Sequence, residues 1–446
     1  MNSINSIIES EETLKFRKVI KFVIPTYLTS LFTTLYTIVD GVFVSKFVGT
    51  DALAAVNIVY PIINILLGIA YIFAIGGSAL AAISIGQKKY DEANIKFTTA
   101  FISSIVIGGI ITLLFFIFLD KLLYLLGATD KTIIYCKDYI IPWMVGFILV
   151  IGKEIFTYFI RIDGSPLYSF IVSLAGGITN IILDYVFIVP MKMGIYGAAL
   201  ATIIGIAVSF VIGLYYIVFM SKTVKFKYSG ISFSFIPRCL INGSSEFINQ
   251  IAIAITTIAF NISALKFAGE DGIAAVTITM YLQFIFIGLA FGYSMGVSPL
   301  LGHAFGEGKK NVCRKIEKYS FRFLGIVPGI LYIIGFFVAP YAVSFFAEKT
   351  SDVYNLAVYG MRIYSIGFIV FGISIFSAVR LTSYAYGHLS AIITFLRSFF
   401  LLLLFLYILP IFWEMNGVWA AVPCAEIITV FVSILFTYKT KYLSEN

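Results

Sequence analysis

"FTTAFISSIVIGGIITLLFFIFL" fills residues 97–119 and carries no formal charge. As a helix rising 1.5 Å per residue, such a stretch crosses the ~30 Å hydrocarbon core of a bilayer. A barrel strand needs only roughly 9–11 residues, so this length reads as helix. Similar stretches recur along the whole chain. Of its 446 residues 60% are hydrophobic and 12% charged, with a mean hydropathy of +0.99. No soluble fold of this size could cover so much apolar side chain with so few charges. The fold class is all-α and polytopic, a membrane protein.

The pattern predicts twelve transmembrane helices, near 18–44, 52–80, 97–119, 133–160, 166–190, 194–220, 238–265, 272–302, 319–344, 355–379, 387–411 and 415–438. With the N-terminus inside, twenty-one Lys and Arg residues fall on the cytoplasmic side and eight on the outer side. That asymmetry is the positive-inside rule. The net charge of +8 therefore records topology, and nucleic acid is not an expected partner. Both termini are expected in the cytoplasm, with the chain in the bacterial cytoplasmic (inner) membrane. The start "MNSINSIIESEET" lacks the basic and apolar regions of a cleaved signal peptide. Cys136, Cys239, Cys313 and Cys424 follow no metal or disulfide spacing. His303 and His388 sit near cytoplasmic helix ends.

Self-comparison shows a duplication. "GTDALAAVNI" (49–58) and "GEDGIAAVTI" (269–278) share six residues of ten at an offset of 220. The offset also carries Gly76, Ser78, Leu80, Gly86, Lys89 and Pro190 onto Gly296, Ser298, Leu300, Gly306, Lys309 and Pro410. Six helices per half give both halves one orientation. Parallel repeats of this kind are related by a pseudo-two-fold axis along the membrane normal, with the substrate site between them. The expected domains are an N-terminal lobe (1–220), a basic cytoplasmic linker "SKTVKFKYSGISFSFIP" (221–237) and a C-terminal lobe (238–446).

The halves differ in one respect. Asp40, Asn180 and Asp184 correspond to Phe260, Phe400 and Leu404. Asp40 lies about one turn from the outer end of the first span, and Asp184 about one to two turns from that of the fifth. Asn180 and Tyr36 precede these acids by four residues, on the same helix faces. Thr202 and Tyr139 fall at similar depth on the sixth and fourth spans. The layer is expected to hold carboxylate, amide and hydroxyl oxygens with no cationic side chain nearby. Charge at such depth costs roughly 2.5–3.5 kcal/mol on insertion scales, and intramembrane acids usually mark ion or proton paths. Hard cations prefer oxygen ligands, and paired carboxylates in a poorly solvated place hold a proton more tightly. A structural reading, in which the acids only hydrogen-bond helices together, stands beside these two.

The arrangement Pro25, Tyr36, Asp40, with "VGTDALAAV", "NIILD" (180–184) and "GIYGAALAT" (194–202), resembles the multidrug and toxic compound extrusion (MATE) family, most closely its bacterial multidrug branch. "FIRIDGSP" (159–166) and "NGVWAAVPCAE" (416–426) are similar to the family's loop before helix 5 and its helix 12. The resemblance implies two six-helix lobes that export organic, often cationic, compounds by alternating access. The exchanged ion would be H⁺ or Na⁺, with no other cofactor, and the protein a monomer in membrane lipid. It places the cation or proton site at Asp40, Asn180, Asp184 and Thr202, with Tyr36 and Tyr139 lining it. Glu246 lies near the start of helix 7, but helix 10 has no internal acid, a departure from members with C-lobe acids.

Pro25 removes a backbone donor from the first span and reads as a bending point, although proline is also tolerated in membrane helices. Arg397 and Glu426 read as a structural pair, with substrate contact as the alternative. Lys153 has Glu154 or Glu246 as its partner, and Glu246 is equally a candidate for the substrate cavity. Gln250, Asn261 and Gln283 are candidates for that cavity or for helix-to-helix hydrogen bonds. A flippase for a lipid-linked precursor is the alternative function, and would want a basic cavity. No "GxxxxGK[ST]" loop supports ATP-driven pumping, and no His/Cys/carboxylate cluster at membrane depth supports an enzyme.

Overall fold

The computed structural model describes residues 3–227 and 230–443. Residues 1–2, 228–229 and 444–446, at the outer limits of the expected lobes and in the linker, lie outside the described residues. Among the described residues nine helices are long and apolar enough to cross a membrane, and a bent pair makes a tenth. The two longest each hold two spans, divided at one non-helical residue, which gives twelve.

In chain order these are α1 (Phe16–Val48), α2 (Ala54–Gly86), α3 (Tyr90–Ile117), α4 (Ile133–Val145 with Phe147–Ile162), α5 (Pro166–Ile188) and α6 (Gly194–Met220). The second half has α7 (235–268), α8 (270–306), α9 (Lys310–Val343), α10 (Asp352–Ser383), α11 (387–413) and α12 (415–440). Every expected span has its helix. Several run longer than expected: α2 and α8 continue to Gly86 and Gly306, and α9 begins at Lys310. Helices can continue beyond the apolar stretch because their backbone groups stay paired. The continuous fourth span is corrected: α4 bends by 55° at Gly146, just after Pro142, whose missing N–H weakens the helix there.

The duplication is written into the backbone. Gly49 and Gly269, related by the offset of 220, both take positive φ, +121° and +62°. Gly194 (φ +59°) corresponds to Glu414 (φ +48°), a non-glycine residue in a region that suits glycine. Each half also builds its own core. Phe97, Phe156 and Phe159 are fully buried in the first half, and Phe368, Phe376 and Trp419 in the second.

Two segments fall differently from the expected pattern. Ile4, Ile7, Ile8 and Leu14 precede α1 yet bury against the second half, where Lys309 and Lys315 donate to the carbonyls of Ile8 (3.1 Å) and Glu11 (2.6 Å). The linker lies along α3, its backbone bonded to Asn94, Thr98 and Thr99 side chains. Helix α7 starts at Phe235, so the last linker residues are already helical.

The halves meet closely at the end of the bundle that holds Gly76, His303 and Gly306. Asn242 Nδ2 donates to the carbonyls of Gly76 (3.2 Å) and Thr382 (3.1 Å). His303 Nε2 donates to the carbonyl of Ile162 at 2.9 Å. A Cβ on Gly306 would stand 2.2 Å from the Ile83 carbonyl oxygen, so only glycine permits the approach.

Candidate functional site

Two cavities lie above this seal. The larger, about 400 Å³, is lined by residues of both halves. Along α1 its wall is a hydroxyl stripe, Thr29, Ser30, Thr33 and Thr34. These residues recur at i, i+3 and i+4, the spacing of one helix face, a signal present in the sequence but masked there by the apolar run around it.

Six charged residues line it: Lys153, Glu154, Arg161, Glu246, Arg397 and Glu426. Lys153 Nζ meets Glu154 Oε1 at 2.5 Å, so the lysine takes its local partner rather than Glu246. Arg397 meets Glu426 at 3.6 Å, and Ser374 donates to Glu426 at 2.8 Å. The expected pairing is present, and both residues also line the cavity. Arg161, one of the twenty-one cations counted toward the cytoplasmic side, is 5% exposed, donates to Ser169 Oγ at 3.1 Å and lies 4.5 Å above the Tyr158 ring. Glu246 has no ion-pair or hydrogen-bond partner among the described residues, and it is free to face a ligand.

Gln250 and Gln283 line the large cavity, where Gln283 accepts from the Tyr364 hydroxyl. Asn261 lines neither described cavity. Tyr139 is packed in the outer core of the first half beside Cys136, Ile140 and Trp143, within electrostatic reach of Asp40 and Asp184. Tyr36 lines the smaller cavity instead of the larger. Helix α1 passes through Pro25 without a non-helical residue, and Thr29 Oγ1 donates to the Pro25 carbonyl at 2.9 Å.

The smaller cavity, about 20 Å³, is lined by Tyr36, Lys153, Asn180 and Thr202 among others. That is room for about one water or small ion. Helices α5 and α6 approach closely here: a Cβ on Gly205 would lie 2.6 Å from the Gly176 carbonyl oxygen and 3.1 Å from Asn180 Cβ. The close approach lets Asn180 Nδ2 reach Thr202 Oγ1 at 3.3 Å, while Thr202 donates to the Ala198 carbonyl. The expectation that no cation stands near this layer is overturned, because Lys153 lines the same cavity. Its side chain rises from the bent α4, a geometry that the sequence did not reveal.

One turn further out on α5, Asp184 is fully buried and lies within electrostatic reach of Asp40. With both acids ionised, Asp40 Oδ1, both Asp184 oxygens and Asn180 Oδ1 are buried without a donor. Unpaired buried acceptors are costly, and four together form an oxygen-only cluster that a proton or a small hard cation satisfies.

Comparison with known proteins bears on the whole chain. The chain is 23% identical over 441 residues to "Multidrug export protein MepA" of Staphylococcus saprophyticus subsp. saprophyticus, covering 96% of this chain and 94% of the relative. Among solved structures it matches the "Outward-facing conformation of a multidrug resistance MATE family transporter of the MOP superfamily" with TM-score 0.90 and 20% identity, covering 96% of each chain. It also matches a MATE protein crystallised in complex with MaL6, with TM-score 0.93 and 20% identity over 100% of this chain and 99% of the other. These likenesses establish the two-lobed fold. The MatE family profile matches twice, over residues 25–186 and 247–408, one copy in each half, and the chain belongs to the MatE family.

Proposed function

We propose that this chain is a secondary active multidrug efflux transporter, exporting small organic compounds, often cationic, in exchange for H⁺ or Na⁺ by alternating access. The observation that carries the reading is the cluster of four buried oxygens without donors at Asp40, Asp184 and Asn180. Thr202 completes the set through its bond to Asn180. The names of the MepA relatives support the drug-export part.

The large cavity takes the compound. Its aromatic and apolar walls suit an amphipathic molecule, and the Glu246 carboxyl, without a hydrogen-bond or ion-pair partner among the described residues, offers an acceptor to a cationic group. Gln250 and Gln283 supply hydrogen bonds. The lobes are residues 1–220 and 238–446, joined by the linker 221–237, and they rock about the cytoplasmic contacts. Ion binding at the Asp40–Asp184 pair favours a bent α1, with Pro25 as the bending point. There the ring leaves the Lys21 carbonyl without its helical donor.

Exchange follows if ion and compound favour opposite states of one protein. The protein works as a monomer in the cytoplasmic membrane with both termini inside, uses no cofactor beyond the exchanged ion, and takes no nucleic acid. A precursor flippase is less well supported, since three acids balance the three bases in the cavity.

The test is uptake of a fluorescent dye into inverted vesicles under an imposed pH gradient and then a Na⁺ gradient. Wild type is expected to respond to at least one, and Asp40→Asn to neither. Undiminished transport by Asp40→Asn sinks this reading, and no transport by wild type under either gradient turns it toward the flippase.

A further inference from the structure

Lys153 stands in the wall that divides the two cavities, lining both. Its present partner, Glu154, belongs to the large cavity alone. On its other side the small cavity holds Asn180, whose Oδ1 is buried without a donor, with Asp184 one turn beyond. Tyr36 bridges the two neighbourhoods, within electrostatic reach of Lys153, Glu154 and Asp40. Lysine is a compact charge on a flexible four-carbon stem. A change of side-chain rotamers exchanges one anionic partner for the other.

We propose that Lys153 is the positioning residue that makes ion and compound mutually exclusive, by moving between Glu154 and the Asn180–Asp184 cluster. The proposal rests on the exchange reading above and deepens it. With the coupling ion on the Asp40–Asp184 pair, the ammonium has no reason to approach and stays on Glu154. Glu154 is then neutralised, and the large cavity has lost one of its acids for a cationic compound. When the ion leaves, two carboxylates face each other in a poorly solvated place, and Lys153 is drawn toward them through Asn180 Oδ1. Glu154 is released and can receive the positive group of a compound. No bond is made or broken and no proton leaves the lysine. One charge serves two sites, as Coulomb attraction at low dielectric favours.

The alternative role for Lys153 is structural, to neutralise Glu154 in every state. The two roles differ in sign. If Lys153 competes with the ion for the carboxylates, removing its charge strengthens ion binding. If it only holds the lobe together, removing it weakens ion binding or leaves it unchanged.

The test uses the full-length protein purified in detergent, with ethidium as the cationic probe. Its affinity is read by fluorescence anisotropy with and without Na⁺ at alkaline pH, and at acidic against alkaline pH without Na⁺. In wild type the coupling ion should weaken ethidium binding by about tenfold, within the usual range for coupled sites. Lys153→Gln should bring that ratio close to one and raise the apparent affinity for the ion severalfold, measured by titration without ethidium. Lys153→Arg, which keeps the charge, should retain the ratio.

A Lys153→Gln protein that keeps the wild-type ratio, or binds the ion more weakly, overturns the proposal. Should Lys153→Gln fail to fold, Glu154→Gln answers in its place. It should lose the ion dependence of ethidium binding while still binding the ion, and a preserved ratio is again fatal. If wild type binds ethidium with no dependence on either ion, the exchange reading itself has failed, a result separable from failure at Lys153 alone.

Discussion

Asn180 and Asp184 in the first lobe are buried and turned toward α1 and α6, whereas their counterparts Phe400 and Leu404 in the second are 48% and 37% exposed. The third position of the set, Asp40, corresponds to Phe260, which is buried against the Tyr364 ring at 6.3 Å. One scaffold, used twice, presents an oxygen cluster in one copy and apolar surface in the other. The difference has a backbone cause. Helix α11 contains a wide turn at Leu396–Phe400, while α5 is regular from Pro166 to Ile188. One extra residue in a turn rotates the remainder of the helix by about 100°. Positions that face inward in α5 therefore face outward in α11, where a carboxylate would meet lipid. The duplication supplied the frame, and local helix geometry decided which copy could hold charge.

The sharpest way to break this comparison is to make the same change in both lobes. Asp184→Asn should abolish ion-driven dye efflux in inverted vesicles, since it removes a charge from the pair proposed to receive the ion. Leu404→Asn, the counterpart change, should leave efflux within about twofold of wild type, because the residue lies on the outward face of α11, away from the oxygen cluster. Equal losses in the two variants would show that the lobes share the ion-handling role.

A second test concerns the ion pairs that both lobes turn toward the cavity. Lys153–Glu154 closes at 2.5 Å between sequence neighbours, and Arg397–Glu426 at 3.6 Å between two helices. Glu426→Ala strands Arg397, whose remaining partner is Asn249 at 3.4 Å. Breaking a buried pair typically costs about 3–5 kcal/mol, and cavity water should reduce this to about 2 kcal/mol. The expected observation is a lower thermal midpoint for the purified protein, with the Glu426→Gln protein falling less. No change in midpoint would assign the pair to substrate contact instead of packing.

Most of this architecture was legible in the sequence because hydropathy and the 220-residue repeat are long-range signals, averaged over many residues. The number of spans, the two-lobed plan and the singular acids of the first lobe all derive from them. Lys153 beside Asn180 was hidden, because its position depends on the 55° bend in α4. Arg161 looks cytoplasmic from its place at a helix end, yet the Tyr158 ring and Ser169 draw it inward. Asn261 and Tyr139 stand out in the sequence by residue type and depth. Depth does not fix which way a helix is rotated, and neither residue lines a described cavity. The wide turn in α11 has no sequence marker that hydropathy can detect.

The smallest expected effect compares Gly194 with Glu414, the residues that open α6 and α12. Both have positive φ, and Glu414 combines φ +48° with ψ −129°, a combination that glycine adopts freely and a Cβ disfavours. Strain of this kind costs about 1–3 kcal/mol, partly offset in a glycine variant by the larger entropy of its unfolded chain. Glu414→Gly should therefore stabilise the protein by about 1 kcal/mol, seen as a small rise in thermal midpoint. Gly194→Ala should lower it by a similar amount. If Glu414→Gly is neutral or destabilising while Gly194→Ala behaves as expected, then the second lobe gains something from the glutamate side chain that offsets its backbone. The two copies would then differ at their outer turns as well as in their charged interiors.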